Sequence, residues 1–129
     1  MSFKLNKYQL EKYSRQIILK DVGALGQKKI IKSKVLIVGM GGLGCPVAEF
    51  LTRAGIGNIG IVDFDKVDLS NIHRQSLFNL KDLKKSKVVA AKKKLNKINT
   101  QTKVKCYNLK LNKINQSKII RKYDYIVDG

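Results

Sequence analysis

The sequence is poor in the residue types that mark several common classes of protein. It has two cysteines, one proline, one histidine and no tryptophan among 129 residues. Cys45 and Cys106 are too few for a disulfide framework and form no metal-ligand pattern, so a reduced intracellular compartment is the simpler prediction. His73 has no second histidine with which to form a paired metal site, and we therefore expect it to be a loop residue.

Long apolar runs are also lacking. No segment reaches the roughly 18 residues that a membrane-spanning helix needs. Residues 1–10 carry Lys4 and Lys7 with no apolar run behind them, so no secretory signal is expected. Because the chain is 43% hydrophobic and 129 residues long, it is sufficient for one globular core. We predict no membrane contact and a cytoplasmic location, or the stroma of a plastid if the gene is organellar.

Acidic residues are scarce relative to basic ones. The chain has 9 acidic residues and 27 lysines and arginines, which gives a net charge of +18. A polyanion could bind such a surface in a salt-dependent way. However, the lysines come with 9 asparagines and 14 isoleucines throughout the chain, which indicates biased composition. No stacking surface or helix-turn-helix pattern is evident, so we expect no specific nucleic-acid partner. The basic surface could also attract an acidic protein.

Strand and helix patterns alternate along the chain. Short apolar runs predict strands at 34–38, 59–62, 102–109 and 125–127. Helical periodicity predicts helices at 8–18, 24–31, 45–53, 83–98 and 113–121. This alternation predicts an α/β fold, a Rossmann-like parallel sheet with helices on both faces. We expect one incomplete domain over 1–129, with an N-terminal helical arm (1–33) and a Rossmann-like β-α-β core (34–129) that is truncated after the fourth strand.

A glycine loop, Gly39-Met40-Gly41-Gly42-Leu43-Gly44, separates the first predicted strand from the next helix. Gly39 permits a tight turn, Gly41 lets backbone approach a phosphate, and Gly44 lets the helix pack closely on the strand. A phosphate would lie at the N-terminus of that helix, where free N–H groups favour an anion. Asp63 follows Gly44 by 19 residues, close to the roughly 20 expected for an acid that binds ribose hydroxyls. These features predict an adenosine nucleotide site.

Arginine is rare in this chain, so its position near the predicted site is informative. The chain has 23 lysines but only 4 arginines, and Arg74 lies in the segment Ser70-Asn71-Ile72-His73-Arg74-Gln75. ATP needs positive charge for its β- and γ-phosphates, and arginine binds phosphate oxygens in pairs. The segment therefore favours a triphosphate. Three acidic residues follow the second strand: Asp63, Asp65 and Asp68. They either belong to a solvated loop or help to bind Mg²⁺.

Five motifs give the chain a close resemblance to a known family. They are Tyr13-Ser14-Arg15-Gln16-Ile17, the loop Gly39-x-Gly41-Gly42-Leu43-Gly44, Asp63-Phe64-Asp65-x-Val67, Ser70-Asn71-x-x-Arg74-Gln75 and Lys87. From residue 13 to 129 the chain resembles the ThiF/MoeB/HesA family of ATP-dependent activating enzymes of ubiquitin-fold proteins. Within that family it is most similar to the bacterial-type adenylyltransferases that activate the sulfur carriers of molybdopterin and thiazole synthesis.

The resemblance implies a role for each motif. Asp63 would hold the ribose, and Asn71, Arg74 and Lys87 would contact the triphosphate, with Lys85 as the alternative to Lys87. Arg15 would reach the γ-phosphate in the neighbouring subunit of a homodimer, as an arginine finger. The implied catalytic residues are Arg15, Arg74 and Lys87. The implied nucleotide-binding residues are Gly39, Gly41, Gly42, Gly44, Asp63, Asp65, Asn71, Arg74 and Lys87.

The reaction implied by the resemblance is attack of a carboxylate on the α-phosphate of Mg-ATP. The carboxylate belongs to the C-terminus of a ubiquitin-fold sulfur-carrier protein that ends in Gly-Gly, and the products are an acyl-adenylate and pyrophosphate. Positioning of the two anions and neutralisation of the leaving pyrophosphate would supply the rate enhancement. The family's Mg²⁺-binding aspartate comes shortly after the position of Asp128. The metal ligand is therefore expected beyond Gly129, and none is assigned within the chain.

Two alternatives remain open. An NAD- or FAD-dependent oxidoreductase would use Gly39–Gly44 and Asp63 but would leave Arg15, Asn71 and Arg74 unexplained. A noncatalytic nucleotide-binding piece that needs a second polypeptide is compatible with every motif. Cys45 lies at the start of the helix after the loop, where the pKa of a thiol can be lowered. We favour the simpler prediction that Cys45 is a packed core residue.

Overall fold

The computed structural model describes residues 3–129, so residues 1 and 2 of the predicted arm lie outside the described range. Three helices precede the sheet: α1 (Lys7–Lys12), α2 (Ser14–Ile17) and α3 (Gly23–Lys32). The remaining elements are β1 (Lys34–Val38), α4 (Gly44–Ala54), β2 (Asn58–Val62), α5 (Lys87–Ile98), β3 (Lys103–Tyr107), α6 (Gln116–Ile120) and β4 (Tyr125–Asp128). Short 3-10 turns at Leu69–Asn71 and Leu80–Asp82 lie between β2 and α5.

The four strands form one parallel sheet in the order β3-β2-β1-β4. The chain runs outward from β1 to β3 through α4 and α5, and then returns through α6 to place β4 on the other side of β1. The strand order therefore reverses between β1 and β4. In open α/β sheets the crevice outside the carboxyl ends of the strands, at such a reversal, is where ligands bind. The predicted Rossmann-like fold is confirmed.

Apolar cores cover both faces of the sheet. Val35 and Ile37 of β1 point into the larger core, where α4 contributes Ala48 and α5 contributes Leu95. Leu36, between them, points to the opposite face and joins a smaller core that includes Ile119 of α6. Alternate residues of β1 are thus buried on opposite faces, which explains why the strand is a continuous apolar run.

A polar network attaches the helical arm to the rest of the fold. The Asn99 side-chain amide donates to the Tyr13 hydroxyl and to the Thr52 carbonyl, both at 3.0 Å. Gln16 and Gln27 each donate to the carbonyl of Ala54, also at 3.0 Å. Ala54 ends α4 just before β2 begins. The arm is therefore anchored near the amino-terminal ends of the strands.

Several predicted boundaries were wrong. The helix predicted at 83–98 begins at Lys87, because Lys84 has a φ of 68° and the preceding residues form a 3-10 turn. The helix predicted at 8–18 is interrupted at Tyr13, whose ψ of 13° ends α1. The predicted third strand, 102–109, and the last predicted helix, 113–121, are shorter in the structure. Within residues 3–129, no helix is both long enough and apolar enough to span a bilayer.

Candidate functional site

The glycine loop follows β1 directly and leads into α4. Gly39 has a φ of 95°, which a residue with a side chain rarely adopts, and its amide donates to the Val62 carbonyl at 2.7 Å. A Cβ on Gly44 would collide with the Gly39 carbonyl oxygen. These two positions therefore require glycine for the loop to fold back against the start of α4, as the sequence predicted.

Asp63 is the second feature of the site, after the glycine loop. Its Oδ2 accepts a hydrogen bond from the Met40 amide and its Oδ1 accepts one from the Asp65 amide, both at 2.8 Å. The carboxylate therefore bridges the glycine loop and the loop after β2. Each oxygen retains acceptor capacity, since a carboxylate oxygen has two lone pairs. Asp63 thus lies beside the glycine loop, where its remaining lone pairs suit the hydroxyls of a ribose.

A groove of about 170 Å³ opens at this end of the sheet. Its lining comes from the carboxyl ends of three strands and the loops that follow them: Val38, Gly39, Val62, Asp63, Phe64, Asp65, Leu109, Lys110 and Leu111. Sequence reasoning identified the glycines and the acids but missed Phe64 and the Leu109–Leu111 segment. Leu109 was the last residue of the predicted third strand, but only the pairing of β3 with β2 brings this segment to the same edge of the sheet as Asp63.

Arg74 lies next to the glycine loop. A Cβ on Gly42 would lie 3.6 Å from Cγ and Cδ of the Arg74 side chain. The guanidinium donates to the Ser70 carbonyl at 2.9 Å and lies 3.4 Å from His73 Nε2. Arg74 is otherwise exposed, so most of its donors face solvent. A free planar cation beside a glycine loop is suited to phosphate oxygens.

The turn before Arg74 is held by reciprocal hydrogen bonds. Asn71 accepts from the Asp68 amide at 2.9 Å, and Asp68 accepts from the Ser70 amide at 3.0 Å. Hydrogen bonds from the hydroxyl and amide of Ser70 hold the pKa of Asp68 below its usual value. The Asn71 side-chain oxygen is thus used within the turn, which leaves its NH₂ group to contact a ligand.

Lys87 starts α5 and is nearly enclosed, with 5% of its surface exposed. Its ammonium lies 3.9 Å from the Asp65 carboxylate, and its amide donates to the Asp65 carbonyl at 3.0 Å. Lys85, in contrast, is exposed and lines a separate surface groove beside Asp82. Of the two lysines that the sequence left open, the structure brings Lys87 to the site.

Arg15 is the one predicted site residue that the structure does not bring to the site of its own chain. It is exposed on α2, and its neighbour Gln16 is bonded to Ala54 at the far end of α4. With 11 residues, α4 separates that end from the glycine loop by about 16 Å.

Cys45 is fully buried at the start of α4, and its thiol donates to the Met40 carbonyl at 3.5 Å. Burial raises the pKa of Cys45 from 9.0 to about 11, so the thiol is packed and protonated.

The three acids after β2 do not converge on a metal position. Residues 3–129 contain no group of three histidine, cysteine or acidic side chains placed to hold a metal ion, so these acids do not form a metal site by themselves.

Known proteins resemble this chain over nearly its whole length. The model of the ThiF family matches residues 13–129. The adenylyltransferase and sulfurtransferase MOCS3 of Drosophila virilis is 46% identical over 124 residues, which cover 96% of this chain and 27% of that protein. The sulfur carrier protein adenylyltransferase of Thermus thermophilus is 41% identical over 123 residues, which cover 95% of this chain and 45% of that protein. The chain thus spans less than half the length of these two curated relatives.

Solved structures give the same result. The crystal structure of PaaA superposes with a TM-score of 0.88 and is 32% identical, covering 99% of this chain and 42% of that one. The structure of Escherichia coli MccB with AMPCPP and MccA superposes with a TM-score of 0.80 and is 30% identical, covering 92% of this chain and 37% of that one. Because the family model matches all but the first twelve residues, this chain belongs to the ThiF family.

Proposed function

We propose that this chain forms the ATP-binding part of an enzyme that adenylylates the C-terminal carboxylate of a ubiquitin-fold sulfur-carrier protein ending in Gly-Gly. The observation that carries the proposal is that two cations, Arg74 and Lys87, flank one glycine-loop groove. A dinucleotide would need neither cation, because the N-terminus of α4 largely suffices for its two phosphates. The adenylyltransferase names of the two curated relatives support the same reaction.

The residues of the site fit an adenosine triphosphate. The groove beside Asp63 is lined by apolar side chains, including Leu109 and Leu111, which suit an adenine ring. Asp63 would accept from the ribose hydroxyls. Gly41 and Gly42 would approach the phosphates with their backbone, and an added Cβ there would lie in contact with Gln75 at 3.9 Å and with Arg74 at 3.6 Å. Asn71, Arg74 and Lys87 would then contact the β- and γ-phosphates.

The proposed step is a substitution at the α-phosphorus. A carrier carboxylate oxygen forms a bond to that phosphorus while the bond to the bridging oxygen of the β-phosphate breaks, so the products are an acyl-adenylate and pyrophosphate. The carboxylate is ionised at neutral pH and needs no general base. Arg74 and Lys87 would stabilise the charge that develops on the leaving pyrophosphate, and would hold the two anions in contact.

The position of Arg15 supports a shared site in a homodimer. Arg15 is exposed near the far end of α4, too far away to serve the groove of its own chain, and the family resemblance implies that it would reach the partner's groove in a two-fold dimer. Arg15 would then act as an arginine finger on the γ-phosphate. Residues 3–129 contain no group of three side chains placed to hold a metal ion, and no step is assigned to the Mg²⁺ that accompanies ATP.

Calorimetric titration of the chain with Mg-ATP and with NAD⁺, each at low and high salt, tests the proposal. High salt removes nonspecific attraction to a chain of net charge +18. We expect Mg-ATP to bind at both salt concentrations and NAD⁺ to bind at neither. Selective binding of NAD⁺ would support the oxidoreductase alternative and overturn the proposal.

A second measurement separates nucleotide binding from catalysis. Pyrophosphate exchange into ATP is measured with a sulfur carrier that ends in Gly-Gly and with the same carrier lacking both glycines. Exchange that depends on the glycines supports adenylylation. Tight ATP binding without exchange would instead identify the chain as a nucleotide-binding piece that requires a second polypeptide.

A further inference from the structure

A second groove lies on the sheet face that carries the smaller core, near the amino-terminal ends of the strands. It has a volume of about 300 Å³. We call it the lysine groove, because four lysines line it together with two tyrosines: Lys34, Lys103, Lys105, Lys122, Tyr107 and Tyr123. Lys34 and Lys103 lie about 16 Å from the nucleotide groove, at the opposite ends of five-residue strands, whereas Tyr107 ends β3 two residues before Leu109 of the nucleotide groove.

The lysines of this groove are placed by strand register. Lys34, Asn58 and Lys103 begin neighbouring strands and are aligned across the sheet. Lys105 follows two residues later on the same face and is aligned with Gly60. Parallel sheets normally cover both faces with apolar residues, so a row of cations on this face is unusual. The backbone holds Lys34 and Lys103 about 10 Å apart.

No acid neutralises these lysines. The residues that line the groove include no aspartate or glutamate, and the two salt bridges found within residues 3–129 involve other lysine and arginine side chains. Asp124, which follows Tyr123 in sequence, accepts from the Lys34 amide at 2.9 Å and does not line the groove. Within residues 3–129 none of the four lysines is part of an ion pair, so their positive charges repel one another, and an anion in the groove would relieve that repulsion.

The two tyrosines supply a neutral hydrogen-bond donor. Their hydroxyls lie 2.9 Å apart, and their rings meet edge to face. A pair of hydroxyls has two hydrogens and shares only one of them, so the second remains available to a ligand. Tyr123 reaches this position because Gly60 has no side chain: a Cβ there would collide with the Tyr123 hydroxyl.

We propose that the lysine groove binds a small phosphate anion of the pyrophosphate or triphosphate class, separately from the nucleotide groove. Four ammonium groups match the three to four negative charges of such anions. Asn58 and the tyrosine pair add uncharged donors, and the groove is large enough for an anion of that size. The proposal rests on the strand register and does not depend on the proposed function.

The test is titration of the chain with sodium pyrophosphate at about 0.15 M salt, followed by calorimetry and by amide NMR shifts. We expect the amides of Asn58, Gly60 and Lys103 to shift. The double variant Lys103→Gln/Lys105→Gln should lose at least about tenfold in affinity, since two charge-assisted contacts are removed. Tyr123→Phe, which changes no charge, should lose about threefold.

The matched control is Lys93→Gln/Lys97→Gln, because these two lysines line a different surface groove on α5 that also contains Asp82. This control removes the same charge and should change the affinity by less than about twofold. Two results would overturn the proposal. One is an equal loss in both double variants, which would indicate nonspecific attraction. The other is a set of shifts confined to Gly41 and Gly42, which would place pyrophosphate in the nucleotide groove alone.

Discussion

The Lys87 ammonium lies 3.9 Å from the Asp65 carboxylate, but the two side chains differ greatly in exposure: 7% for Lys87 and 56% for Asp65. A backbone hydrogen bond of 3.0 Å joins the same two residues. The start of α5 is therefore tied twice to the loop after β2. A lysine enclosed in this way has few orientations, so little entropy would be lost in the proposed contact with a phosphate.

Lys87→Gln should weaken Mg-ATP binding by about 1.5–3 kcal/mol, because a charge-assisted contact with the triphosphate is removed. Folding should persist, since Asp65 is half exposed and can be solvated. The control is Lys85→Gln, which removes the same charge from an exposed position two residues away. Calorimetric titration of both variants measures the difference. Equal weakening in the two would show that Lys87 does not contact the nucleotide.

Arg74→Ala should likewise weaken Mg-ATP binding by about 1.5–3 kcal/mol, because the free guanidinium beside Gly42 is lost. Arg53→Ala is a matched control. That arginine pairs with Glu49 at 3.1 Å in the last turns of α4, away from the groove. The same titration at high salt separates specific binding from general attraction. Wild-type affinity in Arg74→Ala would refute the triphosphate assignment.

The fold was predictable from the sequence because its signals are local. Lys34–Val38 is a β-branched run, and Gly39–Gly44 is a loop whose two constrained glycines are required by backbone geometry. The start of α5 was not predictable, since residues 83–86 (Leu-Lys-Lys-Ser) contain no glycine or proline that would end a helix. The left-handed φ of Lys84 is imposed by the tertiary structure: the Lys84 amide donates to Val67 at 2.8 Å.

The candidate site was predictable in part for the same reason. Motif spacing identified Asp63 and Arg74, which lie near the loop in sequence. Leu109 and Leu111 line the groove only because β3 pairs with β2, and this pairing is a long-range contact that no local pattern encodes. The lysine groove also depends on strand register, so its lysines looked like scattered surface charge in the sequence.

If Arg15 serves the partner's site, two defective variants should complement each other. Arg15→Ala and Arg74→Ala would each lack tight Mg-ATP binding. After subunit exchange in an equal mixture, half of the dimers contain one of each, and one of the two sites in such a dimer is intact. About one quarter of all sites should then bind tightly, which calorimetric stoichiometry measures. No recovery in a mixture shown to exchange subunits would refute the shared site.

The buried Cys45 thiol should make stability fall at high pH. Below pH 9 the thiol is protonated in both states. Between pH 9.0 and about 11 the unfolded chain releases this proton while the native state retains it, so unfolding becomes more favourable. Because the pKa is 9.0 in the unfolded state and about 11 in the folded state, the loss at pH 10 should be about 1.4 kcal/mol.

Urea unfolding at pH 8 and pH 10 measures this loss in the wild type and in Cys45→Ala. The difference between the two proteins isolates the thiol from the many lysines that titrate in the same range. Cys45→Ala should also bind Mg-ATP normally, since the thiol is fully buried and does not line the groove. An identical pH dependence in both proteins would contradict the burial of the thiol.

Asn99 is the residue on which attachment of the helical arm depends most. It is 1% exposed, donates to Tyr13 and Thr52, and accepts from the Lys12 ammonium at 2.7 Å. Asn99→Ala should therefore cost about 1–3 kcal/mol in unfolding free energy, because buried groups lose their partners. Asn96→Ala, an exposed change in the preceding turn of α5, should be close to neutral.

Asn99→Asp separates the hydrogen bonds that the Asn99 side chain donates from the one that it accepts from Lys12. Aspartate keeps the oxygen that accepts from Lys12 and loses the NH₂ group that donates to Tyr13 and Thr52. If the hydrogen bonds that Asn99 donates hold the arm, trypsin should cleave off residues 3–33 of Asn99→Asp at nearly the rate at which it cleaves Asn99→Ala. If the lysine contact holds it, Asn99→Asp should be cleaved no faster than the wild type, since the added charge strengthens that contact. The donated hydrogen bonds join α1 to the end of α4 through buried atoms, so we expect the first result.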